Sequence, residues 1–109
     1  MTKTLCSVVD IDESTAKGFT VGESALFAVK HDGQIYVYEN SCPHIGINLE
    51  FQENQFLDMD KRFIQCSNHN ALFEIESGHC ISGPCQGKSL KAIPFEIEND
   101  RILVKNIGW

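Results

Sequence analysis

Two short stretches, Cys42-Pro43-His44 and Cys66-Ser67-Asn68-His69, decide how the rest of this 109-residue sequence is interpreted. Each stretch offers one thiolate and one imidazole within a single tight turn. Together they supply two sulfur and two nitrogen ligands, enough to hold two metal ions at once. A [2Fe–2S] cluster needs four protein ligands, because bridging sulfides fill the remaining positions on its irons. The donor set therefore predicts a metal centre of this kind.

Two alternatives remain open for these four residues. Two Cys and two His also suit a tetrahedral Zn²⁺ ion, but zinc ligands are commonly paired with at least two residues between them. Only Pro43 separates Cys42 from His44, so a single ion would crowd this turn, whereas two adjacent irons would not. The other alternative is a set of unrelated buried Cys and His residues, which would make two matched pairs a coincidence.

The pattern C-x-H … C-x-x-H resembles the Rieske family, in which two Cys bind one iron of the cluster and two His bind the other. The resemblance covers residues 25–104 and is strongest over residues 42–87. It implies one [2Fe–2S] cluster per chain, with Cys42 and Cys66 on the buried iron. His44 and His69 would bind the iron nearer to solvent.

The family also has a third, proline-bearing loop that covers the cluster, and Gly83-Pro84-Cys85 resembles it. Taken alone, this tripeptide indicates only a turn. The sequence departs from the family in the long stretch 45–65, which predicts an extended loop around Glu53 to Asp60. It also has Asn70 where many members have Gly, and Asn is among the few other residues that tolerate positive φ.

The strand pattern predicts an all-β fold. Residues 25–30 and 34–38 are rich in β-branched and aromatic residues and flank Asp32-Gly33, a strong hairpin signal. A second hairpin is predicted from 90–98 and 101–107 around Asn99-Asp100, with Pro94 indicating an edge strand or a bulge. Further expectations are strands at 5–9, 63–65 and 72–75, and a turn or single helical turn at 12–18.

The resemblance implies an antiparallel β-sandwich or barrel base with a smaller, loop-rich cluster-binding subdomain. We expect residues 1–109 to form a single domain, with that subdomain at about residues 41–86. The hydrophobic content of 42% is ordinary for a folded domain. No segment approaches the roughly 20 apolar residues of a membrane helix, and none resembles a signal peptide. We therefore expect a cytoplasmic protein without membrane association.

Five cysteines leave three beyond the predicted cluster ligands. Cys6 lies in the first predicted strand and is interpreted as a small core residue rather than a reactive thiol. Cys80 and Cys85 flank the Gly83-Pro84 turn, so their side chains could approach each other. A disulfide between them remains open, although it would be unusual in a reducing cytosol.

The net charge is −6, and between His31 and Gly87 the basic residues are Lys61 and Arg62 alone. The acidic residues of the same stretch are Asp32, Glu39, Glu50, Glu53, Asp58, Asp60, Glu74 and Glu76. Such charge argues against binding to nucleic acid or to anionic membranes. It is typical of a soluble surface, and it would also steer the protein toward basic patches on redox partners.

These features predict a one-electron carrier. The resemblance implies a ferredoxin, monomeric in isolation, that passes electrons from a flavin- and NAD(P)H-dependent reductase to a terminal oxygenase, with both partners docking near His44 and His69. No nucleophile and base are paired in the sequence, so no catalysis by the chain alone is expected. The alternatives are a Rieske-like small subunit of an assimilatory nitrite reductase and a zinc-stabilised interaction module.

The resemblance also predicts a low reduction potential. High-potential Rieske proteins use a Ser and a Tyr hydroxyl as hydrogen-bond donors near the second ligand stretch, and Ala71 and Phe73 occupy those positions here. High-potential Rieske proteins also have a disulfide that joins the two ligand loops. Ile47 and Asn68 occupy the positions of its two cysteines here, so it cannot form. Without these features we expect about −150 mV rather than +300 mV, the two ends of the Rieske range. Redox titration tests this, and a value well above zero contradicts it.

Overall fold

Four consecutive side chains, Leu26-Phe27-Ala28-Val29, are at most 1% exposed, which places their strand at the centre of the molecule. The computed structural model describes residues 2–21, 24–40, 56–58, 62–66, 71–83 and 87–105. In these ranges the chain forms a 3₁₀ turn at Val8–Asp10 and no α-helix. The strands are β1 Thr2–Ser7, β2 Thr15–Val21, β3 Ser24–His31, β4 Gln34–Glu39, β5 Phe63–Cys66, β6 Ala71–Glu74, β7 Cys80–Ser82, β8 Phe95–Glu98 and β9 Arg101–Lys105.

The prediction of an all-β fold is confirmed. The strands form three antiparallel sheets, in the orders β1-β9-β8, β2-β3-β4 and β5-β6-β7. In the described residues no helix is long and apolar enough to cross a membrane. The first two sheets share the lower core, which consists of Ile11, Leu26, Ala28, Ile35, Val37, Ile93, Ile102 and Val104. They correspond to the predicted antiparallel base.

The sheet β2-β3-β4 is the central sheet, and the third sheet, β5-β6-β7, packs on the face opposite to the lower core. Their shared upper core consists of Ala16, Phe27, Val29, Tyr38, Phe56, Ile64, Cys66, Ala71, Phe73, Ile75, Cys80 and Leu90. Because successive side chains of a strand point to opposite faces, Leu26 and Ala28 enter the lower core while Phe27 and Val29 enter the upper core. β3 is therefore apolar without alternation, as expected of a strand covered on both faces.

Both predicted hairpins are confirmed, and each turns through two residues with positive φ. The values are 52° and 74° at Asp32 and Gly33, and 53° and 64° at Asn99 and Asp100, as in a type I′ turn. The backbone N–H groups of Asp32 and Gly33 also donate to the Glu13 carboxylate at 2.7 and 2.8 Å. These hydrogen bonds, led by that of Gly33, lower the pKa of Glu13.

The N-terminal expectations are corrected in two places. The first strand ends at Ser7, where the backbone N–H donates to the Asp10 carboxylate at 3.0 Å and the chain enters the 3₁₀ turn. Of the two alternatives for residues 12–18, the structure has the turn and not the helical turn, but the turn spans only Glu13 and Ser14, and β2 follows from Thr15. β2 was missed because Lys17-Gly18 interrupts its apolar alternation.

The arm predicted as residues 90–98 is a strand only from Phe95 onward. Pro94 has no N–H to contribute to a ladder, and the residues before it bond to other elements. Leu90 N–H donates to Gly78 O at 2.8 Å, and Ile93 N–H donates to Val37 O at 2.9 Å. β8 is an edge strand of its sheet, as Pro94 indicated.

Tyr38 joins the central sheet to the third sheet. Its buried hydroxyl donates to the Ile75 carbonyl at 2.6 Å, and its ring packs at 5.8 Å from that of Phe27. Burial raises the pKa of Tyr38 to about 12, so the hydroxyl remains a neutral donor at ordinary pH. Gly78, with φ of +75°, admits the ring, since a Cβ there would lie 2.8 Å from Tyr38 Cε1.

Removal of this hydroxyl should weaken the connection between the two sheets. We expect Tyr38→Phe to lower the free energy of unfolding by about 1–2 kcal/mol, because a buried carbonyl loses its donor. Urea denaturation measures the change. Tyr36→Phe, at a less buried position on the same strand, is the control and should have a smaller effect. Equal losses in the two variants would contradict the role given to the Tyr38 hydrogen bond.

Candidate metal centre

Cys66 is the predicted ligand that lies within the described residues. It ends β5, its residue is 0% exposed, and it pairs across the hairpin with Ala71, the first residue of β6. The connection between the two strands is therefore residues 67–70, which include the predicted ligand His69. Cys42, His44 and His69 themselves lie outside the described residues, and their roles stay predictions.

The strand before the first ligand stretch is anchored in the same core as Cys66. β4 ends at Glu39, whose N–H donates to Lys91 O at 2.9 Å, and Asn40 N–H donates to Ala25 O at 2.8 Å. Tyr38, two residues before Asn40, belongs to the upper core together with Cys66. β4 precedes Cys42 in the sequence and β5 precedes His69, and both strands contribute side chains to the upper core.

The surroundings of Cys66 are apolar. Ile64, Ala71 and Phe73 are each 0% exposed and belong with it to the upper core. Ala71 and Phe73, where high-potential Rieske proteins have hydroxyl groups, therefore lie in the same buried core as this predicted ligand. An apolar shell around a metal ligand limits the access of solvent and influences the redox potential. This environment is compatible with the predicted low potential, which stays a prediction.

Within the extended loop expected at residues 53–60, the structure describes residues 56–58, which pair with β5. Leu57 forms an antiparallel bridge with Ile64, Gln65 N–H donates to Phe56 O at 2.8 Å, and Asp58 N–H donates to Phe63 O at 3.0 Å. The segment therefore runs along the outer side of β5, whose other side pairs with β6.

Phe56 ties this segment to the upper core. It is 0% exposed and stacks on Phe27 with ring centroids 4.4 Å apart and an interplanar angle of 7°. Phe56 and Phe73 are both core residues, and Phe63 is half-buried. The apolar pair Phe56-Leu57 in a polar stretch was the available signal for the packed segment.

The predicted covering loop begins beside this hairpin. β7 pairs with β6 through Ser82 and Leu72, and Gly83 follows with φ of +101°. Pro84 and Cys85 lie outside the described residues. Cys80 is buried, and its Sγ donates to Ser82 O at 3.2 Å. The disulfide between Cys80 and Cys85 stays an open prediction.

The remaining Cys and His residues have other surroundings. Cys6 packs half-buried against the lower core, and burial, followed by the charge of Asp10, raises the pKa of its thiol. Its packing against the lower core agrees with the interpretation of Cys6 as a core residue, and its reactivity stays a prediction. His79 lies 3.3 Å from Ser89 Oγ, and His31 lies 3.8 Å from Asp32. Among the described residues no group of three or more His, Cys, Asp or Glu side chains is arranged to hold a metal.

The residues present fit a [2Fe–2S] cluster. The sequence provides two thiols and two imidazoles, and the thiol that the structure describes lies in a dry, apolar core at the end of a hairpin. Of the predicted ligands, Cys66 ends β5 of the third sheet and His69 belongs to the sequence that connects β5 to β6. The sequence profile of the Rieske [2Fe–2S] domain matches residues 2–101, and the chain belongs to this family.

Known proteins extend this result. The ferredoxin component of the alkene monooxygenase system of Xanthobacter autotrophicus is 30% identical over 100 residues, which span 92% of this chain and 77% of that protein. The ferredoxin of carbazole 1,9a-dioxygenase from Nocardioides aromaticivorans has the same fold, with a TM-score of 0.77 at 18% identity, over 95% of this chain and 96% of that one.

A further solved structure is a complex of reduced oxygenase and oxidised ferredoxin in carbazole 1,9a-dioxygenase. It matches with a TM-score of 0.76 at 23% identity, over 94% of this chain and 91% of the matched chain. At this identity the comparison establishes the fold. The predicted β-sheet architecture and the predicted family are thus confirmed.

Two buried cysteines allow a controlled test of the ligand prediction. We expect Cys66→Ala to lose most of its bound iron, because a Rieske cluster requires all four protein ligands. Cys80→Ala removes an equally buried sulfur from the same core and should retain the iron. Iron content per chain after anaerobic purification is the measurement. Equal iron in both variants would show that Cys66 is not a ligand.

Proposed function

We propose that this chain is a one-electron carrier that holds one [2Fe–2S] cluster through Cys42, His44, Cys66 and His69. The observation that carries the proposal is Cys66, fully buried at the end of a hairpin whose connection includes His69, in a chain of the Rieske family. When bound, the cluster supplies reversible one-electron redox chemistry. Residues 1–109 would form one domain, with the cluster-binding part at about residues 41–86.

The four ligands have different tasks in this proposal. Cys42 and Cys66 would hold the inner side of the cluster, where the upper core keeps water away from the Cys66 sulfur. His44 and His69 hold the outer side and provide the route by which an electron reaches a partner. All four protein positions are then filled, so the chain turns over no substrate alone and serves as the non-catalytic component of a larger oxidoreductase.

The proposed partners are an NAD(P)H-dependent flavin reductase and a terminal oxygenase, which dock near His44 and His69. Support comes from the relatives that are ferredoxin components of oxygenase systems and from the ferredoxin that is complexed with an oxygenase. A monomer in the cytoplasm, with no contact to nucleic acid or membrane, fits the net charge of −6 and this exchange between partners.

The acidic side chains contribute mainly to encounter in this proposal. Glu74 ends β6, opposite Phe63, and Glu76 follows it in the next turn, whereas Cys66 lies at the other end of the hairpin. Both carboxylates are exposed, so they act through the long-range field rather than by contact at the histidine end. An electron-transfer rate that falls as ionic strength rises would support this steering.

Metal analysis and spectroscopy test the central proposal. We expect about two irons and two acid-labile sulfides per chain in anaerobically purified protein. After reduction with dithionite, the EPR spectrum should have the low average g value of mixed Cys and His ligation. A colourless protein with one zinc ion and no EPR signal would overturn electron transfer and favour a zinc-stabilised module. Co-purification with a large sirohaem subunit would instead favour the nitrite reductase role.

A further inference from the structure

Gly83 lies against the backbone of Ala71 more closely than any other residue type would allow. A Cβ built on Gly83 would lie 2.7 Å from Ala71 Cα, 3.0 Å from Ala71 Cβ and 3.3 Å from Ala71 N. Two of these three atoms belong to the backbone of a strand, so they cannot move aside as the end of a flexible side chain could. Gly83 also has φ of +101°, which favours glycine.

The position of Ala71 gives this contact its importance. Ala71 is 0% exposed, begins β6 and is paired with Cys66, so it is the residue at which the connection 67–70 re-enters the sheet. His69 precedes it by two residues. A displacement of the Ala71 backbone would therefore be transmitted to the predicted ligand on one side and to the pairing partner of Cys66 on the other.

We propose that Gly83 is a positioning residue for the cluster: its missing Cβ lets the chain after β7 close against Ala71, which fixes the backbone that presents His69. This inference rests on the proposed function, because it assumes that His69 and Cys66 are ligands. Gly83 would act through Ala71 and would not itself touch the metal. The contact joins the start of the predicted covering loop to the first residue of β6, two positions after His69.

Positive φ alone is the competing explanation for the glycine, and the chain contains a matched control. Gly87, at the other end of residues 84–86, has φ of +92°, but a Cβ there would meet nothing within 4 Å. Gly83→Ala and Gly87→Ala therefore impose a similar backbone strain. Only Gly83→Ala adds the collision with Ala71, so a difference between the two variants reports the contact.

The experiment compares the wild type, Gly83→Ala and Gly87→Ala, each purified anaerobically. The readouts are iron and sulfide content, the rate of cluster loss in air, and the nitrogen hyperfine couplings of the histidine ligands by pulsed EPR. We expect Gly87→Ala to retain the wild-type couplings. Gly83→Ala should lose its cluster several-fold faster than Gly87→Ala and have altered couplings. Couplings and loss rates that are the same in both variants would overturn the inference.

A further variant covers the case in which Gly83→Ala does not fold. Gly83→Ala combined with Ala71→Gly removes the methyl that the new Cβ would meet at 3.0 Å and makes the backbone at position 71 more adaptable. We expect it to recover part of the cluster content relative to Gly83→Ala alone. An equal gain from Ala71→Gly in the Gly87→Ala background would contradict the contact as the cause, because a Cβ at Gly87 meets nothing within 4 Å. Absence of iron and sulfide from the wild type would instead defeat the proposed function itself.

Discussion

The burial of β3 on both faces is the constraint on which the rest of this structure depends. The strand pairs along its length with β2 and β4, so its backbone is satisfied within the central sheet and its side chains are committed to two different cores. Leu26 and Ala28 hold the base together, while Phe27 and Val29 support the third sheet. A polar substitution at any of these positions would bury an unsatisfied group in one of the two cores.

The third sheet depends on this support because it is small. Its strands have three or four residues, which is too little to fold without packing on another layer. Phe27 of the central sheet stacks on Phe56, which lies beside β5, and also packs against Tyr38, whose hydroxyl reaches Ile75 beyond β6. The hydroxyl of Tyr38 then fixes the turn after β6. Aromatic packing and one buried hydrogen bond thus position the hairpin that carries Cys66.

Features with a local cause were predictable from the sequence, and features that depend on distant partners were not. Asp32-Gly33 and Asn99-Asp100 predicted their turns because positive φ is a property of those residues themselves. The short strand β7 was not predicted from the sequence. Its three residues show no alternation of apolar and polar side chains, and β7 is defined by its pairing with β6.

The same division applies to the site. The spacing of Cys and His residues predicted the family correctly, since ligand spacing is a local property of a turn. Nothing near Gly83 in the sequence indicates Ala71 as its neighbour, and Phe56 gives no sign of its stacking on Phe27. Both contacts join segments whose proximity is set by the sheets, so they required the structure.

The two ends of the β5–β6 hairpin differ in burial and in charge, which matters for the proposed carrier. Cys66 and Ala71 close one end in a dry core, whereas Phe63 and Glu74 form the other end, beside Asp58, whose carboxylate accepts from Arg62 N–H at 2.9 Å. Three residue-to-residue steps along β5, each about 3.3 Å, separate these ends by roughly 10 Å.

At a distance of roughly 10 Å, the Coulomb interaction energy between one carboxylate and an added unit charge would be about 0.4 kcal/mol at a dielectric constant of about 80. At a dielectric constant of about 20 it would be about 1.7 kcal/mol. Physiological salt, with a Debye length of about 8 Å, screens exposed charges further. Salt would therefore weaken the effect of the distant acids on partner encounter and on the potential alike. In the proposed carrier, the apolar shell around Cys66 and the absence of hydroxyls at Ala71 and Phe73 would also influence the potential, and this influence would be screened less by salt. The effect of a change among the exposed acids should then depend on salt more than that of a change in the apolar shell.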